Sequence, residues 1–149
     1  MSATSGNLGT GRGAMTWPQM LALAFGAIYT LVGVVGFFVT GFDDFFAHDT
    51  NQTLLGFEIN GMHNVVHIVI GVAGLLLART LAGARTYGWL LAVGYGAAFV
   101  YGLIAIGKTW DFLSINAADN VLHILTAIVG LAIALGPVRS AVTGRTSRV

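Results

Sequence analysis

The sequence predicts an all-α membrane protein: a four-transmembrane-helix bundle built from two parallel helical hairpins. Three observations predict it. First, 56% of the 149 residues are hydrophobic and only 9% charged, where a soluble domain carries about 25% charged residues. Second, the chain divides into four long apolar stretches with short polar connections, and about 20 apolar residues suffice to cross the ~30 Å hydrocarbon core. Third, one ten-residue phrase occurs twice, once at 59–68 (INGMHNVVHI) and again 56 residues later at 115–124 (INAADNVLHI).

The elements follow in order. Residues 1–16 are rich in Gly, Ser and Thr with a single Arg12, which predicts a flexible cytoplasmic tail. From Trp17 to about Thr40 there is no charge, giving the first span. Residues 41–58 bring Asp43, Asp44, His48, Asp49 and Glu58 among Phe42, Phe45, Phe46, Leu54, Leu55 and Phe57. That alternation predicts an amphipathic loop at the interface. A second helix is expected over 60–80, a short basic turn over 79–85, and a third helix over 86–107. Lys108 to Asn116, with Trp110 as an interfacial aromatic, forms the next connection. The fourth helix covers 117–135 and stops at Gly136-Pro137. The membrane domain is thus 17–138, with units 17–80 and 86–138, followed by a basic cytoplasmic tail, 139–149.

Charge sets the orientation. Arg12, Arg79, Arg85, Arg139, Arg145 and Arg148 fall on one side; Lys108 and all six acids, Asp43, Asp44, Asp49, Glu58, Asp111 and Asp119, fall on the other. By the positive-inside rule both termini are cytoplasmic and the repeated phrase enters the bilayer from outside. The excess of Arg over Lys, with abundant Ala, Gly and Val, points to a bacterial inner (plasma) membrane. Cysteine is absent, which excludes disulfides, thiolate metal sites and cysteine nucleophiles. With a net charge of +1 and no basic stripe, nucleic acid is not an expected partner. No nucleophile with an adjacent base, phosphate-cradling loop or dinucleotide fingerprint is present, so nothing points to an enzyme acting alone.

The repeat extends beyond the phrase. Met20–Tyr29 of the first helix aligns with Leu90–Phe99 of the third, so helices one and two resemble three and four. Units of two spans share an orientation, which predicts a pseudo-twofold axis along the membrane normal. The longer loop at 43–56 makes the halves unequal.

Within the phrase, Asn60 and Asn116 stand where a polar segment becomes a helix and suit the N-cap. Asp119 falls at the third helical position, where an acid complements the exposed amides. His63 has the same slot in the first copy. Asn64 and Asn120 come next, then His67 and His123, about 10 Å below the helix start at 1.5 Å per residue. His63, His67, Gly71, Gly74 and Ala78 share one face, as do Asp119, His123, Ala127, Gly130 and Ala134, and polar, small-residue stripes face the bundle interior. At matching depth Gly33 and Gly36, and Gly102, allow close approach to the histidines, and Tyr101 offers a hydroxyl.

Four spans, an Asn-x-x-His-Asn-x-x-His opening to the second helix (Asn60, His63, Asn64, His67) and an Asp-Asn-x-x-His opening to the fourth (Asp119, Asn120, His123) resemble a family of small bacterial integral membrane proteins known only as a domain of unknown function. The resemblance covers about 15–138. Members often read Asn-Pro-Leu-His where this chain has Asn60-Gly61-Met62-His63, without the proline favoured at the first helical position. The resemblance implies a fold and no activity.

Three functions are compatible with the residues. In the first, of structural or accessory type, the Asn, His and Asp side chains of the outer-face cluster are caps and interhelical hydrogen bonds, worth about 0.6 kcal/mol each in membranes. The second is a transition-metal site of His63, His67, Asp119 and His123, since i, i+4 imidazoles can share an ion, with haem on His67 and His123 as its variant. The third is a proton or small-solute pathway along the intramembrane His and Asp groups. The expected partners are the lipid bilayer and a second copy or a larger membrane complex.

Overall fold

The computed structural model describes residues 14–138. The tails expected at 1–16 and 139–149, with Arg12, Arg139, Arg145 and Arg148, lie almost entirely outside the described residues. Four helices carry the fold: α1 (Trp17–Thr40), α2 (Gly61–Leu77), α3 (Leu81–Ala105) and α4 (Ala117–Leu135), with a two-residue pair of strands, β1 (Thr53–Leu54) and β2 (Phe57–Glu58), between α1 and α2. The chain is all-α in class. α1, α3 and α4 are long and apolar enough to cross a membrane, whereas α2 is shorter at 17 residues, about 26 Å at 1.5 Å per residue.

Side chains are distributed inside out relative to a water-soluble protein. Phe38 is 87% exposed and Val93 68%, while Asn60, His63, Asn64, His67, Asp119, Asn120 and His123 are all buried. A bundle surrounded by hydrocarbon requires that arrangement, because polar groups have no partner on the lipid side.

The sequence reading of α1 and α4 agrees with the structure to the residue, but α3 starts five residues earlier than expected. The basic stretch at 79–85 is a turn only as far as Thr80. Thr80 is an N-cap whose hydroxyl accepts from the Gly83 amide at 3.0 Å, so the connection shrinks to Ala78–Thr80. Arg85 then lies in the second turn of α3, where its guanidinium donates to the Gly136 carbonyl after α4 at 3.4 Å. A cap explains the shift, since a threonine oxygen satisfies an amide that the first helical turn leaves free.

α1 packs antiparallel on α2, and α3 on α4, through glycines. A Cβ on Gly26 would meet the backbone at Gly71 and Gly74; one on Gly36 would run into the Asn64 amide. In the second hairpin, Gly88 approaches Gly130 and Ala134, Gly130 approaches Ala92, and Gly102 approaches the Asn120 amide. Gly36 and Gly102 therefore face the asparagines rather than the histidines. Gly36 and Gly102 occupy the same relation to Asn64 and Asn120, as do Gly26 and Ala92 to Gly74 and Gly130. Corresponding positions of α1 and α3 are thus 66 residues apart, one helical turn short of the 70 that aligning Met20–Tyr29 with Leu90–Phe99 gives. Between the hairpins lies a core of Tyr29, Tyr87, Leu91, Tyr95, Ala127 and Ile133.

The loop at 41–58 does not span. It folds across the end of the bundle, with β1 and β2 antiparallel in the register Thr53 to Glu58 and Leu54 to Phe57. The two-residue turn between them has φ 56° at Leu55 and 90° at Gly56, the positive pair that a tight hairpin of primed type needs. Phe45 covers Gly61, where a Cβ would strike its ring.

Candidate functional site

The polar residues of the repeated phrase form two tiers. In the outer tier Asn60, His63, Asn116 and Asp119 are bonded, whereas Asn64 and Asn120 each keep a buried Oδ1 without a partner. Asn60 accepts from the His63 amide at 2.8 Å, and Asn116 accepts from the Asp119 amide at 3.0 Å. Both are the N-caps the sequence predicts. Asp119 returns the bond, its Oδ2 accepting from the Asn116 amide at 3.0 Å, which completes a capping box. The same Oδ2 also accepts from the Glu58 amide at 3.1 Å.

These caps are tied across the hairpins. Asn60 Nδ2 donates to the Phe112 carbonyl of the α3–α4 connection at 2.8 Å, and also to Ala47 at 2.9 Å. Asn116 Nδ2 donates to the Gly56 carbonyl of the α1–α2 loop at 3.0 Å. His63 Nδ1 donates to the Leu113 carbonyl at 3.0 Å, and Ser114 bonds Glu58 Oε1 at 3.2 Å. Each loop therefore grips the first turn of the other hairpin's second helix. Asp111 shapes the second loop, its carboxylate accepting from Ile115 at 2.8 Å and from the Tyr101 hydroxyl at 3.1 Å. Tyr101 thus serves the loop instead of the histidines. Asn64 donates to Thr40 at 2.9 Å at the end of α1.

The inner tier contrasts with this. His67 and His123 are 7% and 5% exposed, and the Nδ1 of each has no hydrogen-bond partner. Aromatic rings surround them instead. His63 lies 4.6 Å from His67 between centroids; His67 stacks on Tyr29 at 5.3 Å, Tyr29 on Tyr95 at 5.3 Å, and Tyr95 lies 5.5 Å from His123. The row crosses the bundle from α2 through α1 and α3 to α4. Tyr29 bonds Thr126 at 2.9 Å, while the hydroxyl of Tyr95 is buried without a partner. Sequence reasoning missed both tyrosines. Their signal is the 66-residue offset, which makes Tyr29 and Tyr95 counterparts beside counterpart histidines.

The four residues considered for a metal ion are divided by this geometry. Asp119 is engaged with two amides in the outer tier, and among the described residues no three His, Cys, Asp or Glu side chains come together closely enough to hold one ion. Tyr29 and Tyr95 stand between His67 and His123 in the row of rings.

A model of the family described as Domain of unknown function (DUF4383) matches residues 19–136, all but the first two residues of the helical bundle. The chain belongs to this family. No curated protein and no solved structure matches it. Membership agrees with the resemblance to a family of unknown function and carries no activity.

Proposed function

We propose that this is an accessory integral membrane protein whose two hairpins, related by a pseudo-twofold axis along the membrane normal, are fastened at the outer face by a reciprocal clasp. The exchange of bonds between loops carries the reading. Asn60 to Phe112 and Asn116 to Gly56 are counterparts at a constant offset of 56 residues, and the glycine contacts support the same pairing of hairpins. Charge supports the orientation: six of the seven basic residues lie toward the two termini and the α2–α3 connection, and all six acids toward the clasp. In this reading α2 is the fourth span, at the short end of the roughly 17–25 residues a crossing needs, and the protein lies in a bacterial plasma membrane with both ends cytoplasmic.

The test is a set of topology reporters. Fusions after Val149 and within Ala78–Thr80 should report the cytoplasm, and an insertion at Asn51 the outside; a shared location for Thr80 and Asn51 would remove the four-span arrangement. Melting curves in detergent, with chelator and then with zinc, copper, nickel or iron, should show no metal-dependent midpoint. A metal-dependent rise that His67→Ala abolishes would replace the accessory reading with the metal one.

A further inference from the structure

Two cavities lie where the hairpins meet. One, of about 390 Å3 between α2 and α3, is lined by His63, His67, Tyr95 and His123 together with Gly94 and Ala98. The other, of about 210 Å3 between α1 and α4, is lined among others by Ile28, Tyr29, Val32, His67 and Asp119. At the offsets of 66 and 56 residues these linings correspond position for position: Gly94 to Ile28, Tyr95 to Tyr29, Ala98 to Val32, His63 to Asp119, His123 to His67. The first cavity is larger because α3 has Gly94 and Ala98 where α1 has Ile28 and Val32. It is also the one with three imidazoles, because His63 stands where the second has a carboxylate already held by two amides.

A cavity of this size falls within the range of about 300–1,000 Å3 found for small-molecule sites, which are mostly apolar with a few convergent polar groups. Here those groups have chemistry to spare. His63 donates its Nδ1 proton to a carbonyl, which can only accept, so in the neutral ring its Nε2 is left as an acceptor. His67 and His123 both line the cavity with Nδ1 buried and unbonded, and the ring of His67, which makes no hydrogen bond to the protein, can present an N–H to an occupant. Tyr95 adds a buried hydroxyl without an acceptor. Unpaired polar groups are costly to bury, whereas an occupant with acceptors, and a donor for His63, would pair with them.

The surroundings narrow the class further. No cationic side chain lines the cavity, so an anion would lose its hydration without compensation. Gly94 and Ala97 are exposed on the lipid-facing side of α3, so the cavity opens sideways into the bilayer between α2 and α3. The walls include the rings of Tyr95, Tyr101 and Phe112, which suit a flat partner. We propose that the α2–α3 cavity binds the ring of a membrane-dissolved quinone or hydroquinone, entering from the lipid, with its oxygens hydrogen-bonded to the imidazoles.

The experiment uses the full chain in lipid nanodiscs, with menadione, decylubiquinone and its reduced form as probes. Trp110 reports binding, because its ring lies 5.8 Å from that of Tyr101 on the cavity wall and quinones quench indole fluorescence on contact. Gly94→Ile installs the side chain of its narrower counterpart, and a Cβ there meets nothing within 4 Å; the same is true of Gly96 on the same helix, which does not line the cavity. Both variants should keep the wild-type melting midpoint. Saturable quenching is expected in the wild type, with the apparent Kd raised at least tenfold by Gly94→Ile and unchanged by Gly96→Ile. Three results would each overturn the proposal: quenching that rises linearly with probe as in lipid alone, equal affinity in Gly94→Ile and wild type, or full competition by decyl alcohol, which has a chain but no ring and would mark an acyl-chain groove. A cavity that holds only water gives the first of these.

Discussion

The outer clasp and the inner row of rings are built from the same repeated words, one to two helical turns apart, and they have opposite chemistry. Asn60, Asn116 and Asp119 each make two or more hydrogen bonds, several across the hairpins. His67 and His123, buried as deeply, leave Nδ1 without any. The first tier is polar because it closes a structure; the second contributes a single bond across the hairpins, Tyr29 to Thr126, and none from Nδ1 of His67 or His123. Residue type therefore does not predict role in a membrane interior. What separates the tiers is whether a loop carbonyl or amide reaches the side chain.

The largest effect expected from breaking this contrast is at Asp119. Asp119→Ala removes a charged acceptor from two amides, and bonds to charged groups are worth about 1.5–3 kcal/mol. The unfolding free energy from denaturant titration of the detergent-solubilised protein should fall by the upper part of that range. Asn60→Ala should follow, with a loss of about 1–2 kcal/mol for the cap and its cross-hairpin donors together; additivity of the two substitutions would show that the two arms of the clasp act independently.

The inner tier should respond weakly. Tyr29→Phe loses one bond to Thr126 and is expected to cost about 0.6 kcal/mol, the average for such bonds in membranes. Tyr95→Phe removes a hydroxyl that bonds nothing and should be neutral or slightly stabilising in the same titration, as should His67→Phe. A loss at His67 as large as at Asn60 would place the histidines with the clasp and erase the distinction.

Much of the fold is legible in the sequence because its causes are local. An uncharged run of sufficient length marks α1, and Asn116 with Asp119 three residues later marks the start of α4. The start of α3 was hidden because Arg79 and Arg85 read as a basic turn, while the single oxygen of Thr80 decides the boundary. In the candidate site, the positions of His63, His67, Asp119 and His123 on inward faces follow from helical spacing. Their partners do not. The bonds that hold Asp119 and His63 to the loops join residues 61 and 50 apart, and no periodicity announces contacts of that span. Tyr29 and Tyr95 escaped notice for another reason, since an alignment of α1 and α3 shifted by one turn sets Tyr29 against Phe99 and hides the pairing that the glycine contacts establish.

The crossed loops also bear on how the chain is made. Asn60 and His63 leave the ribosome about fifty residues before the carbonyls of Phe112 and Leu113 that they bind, which at about 5–20 residues per second is a delay of roughly 3–10 s. During that interval the first hairpin is already long enough to enter the membrane, yet the Nδ2 and ring donors that will face the second loop still have only water or lipid head groups to bond. The first hairpin is therefore a provisional intermediate, held by its glycine seam and by its own bonds from Asn64 to Thr40 and Asn60 to Ala47, until α4 has been inserted and the two loops can be exchanged.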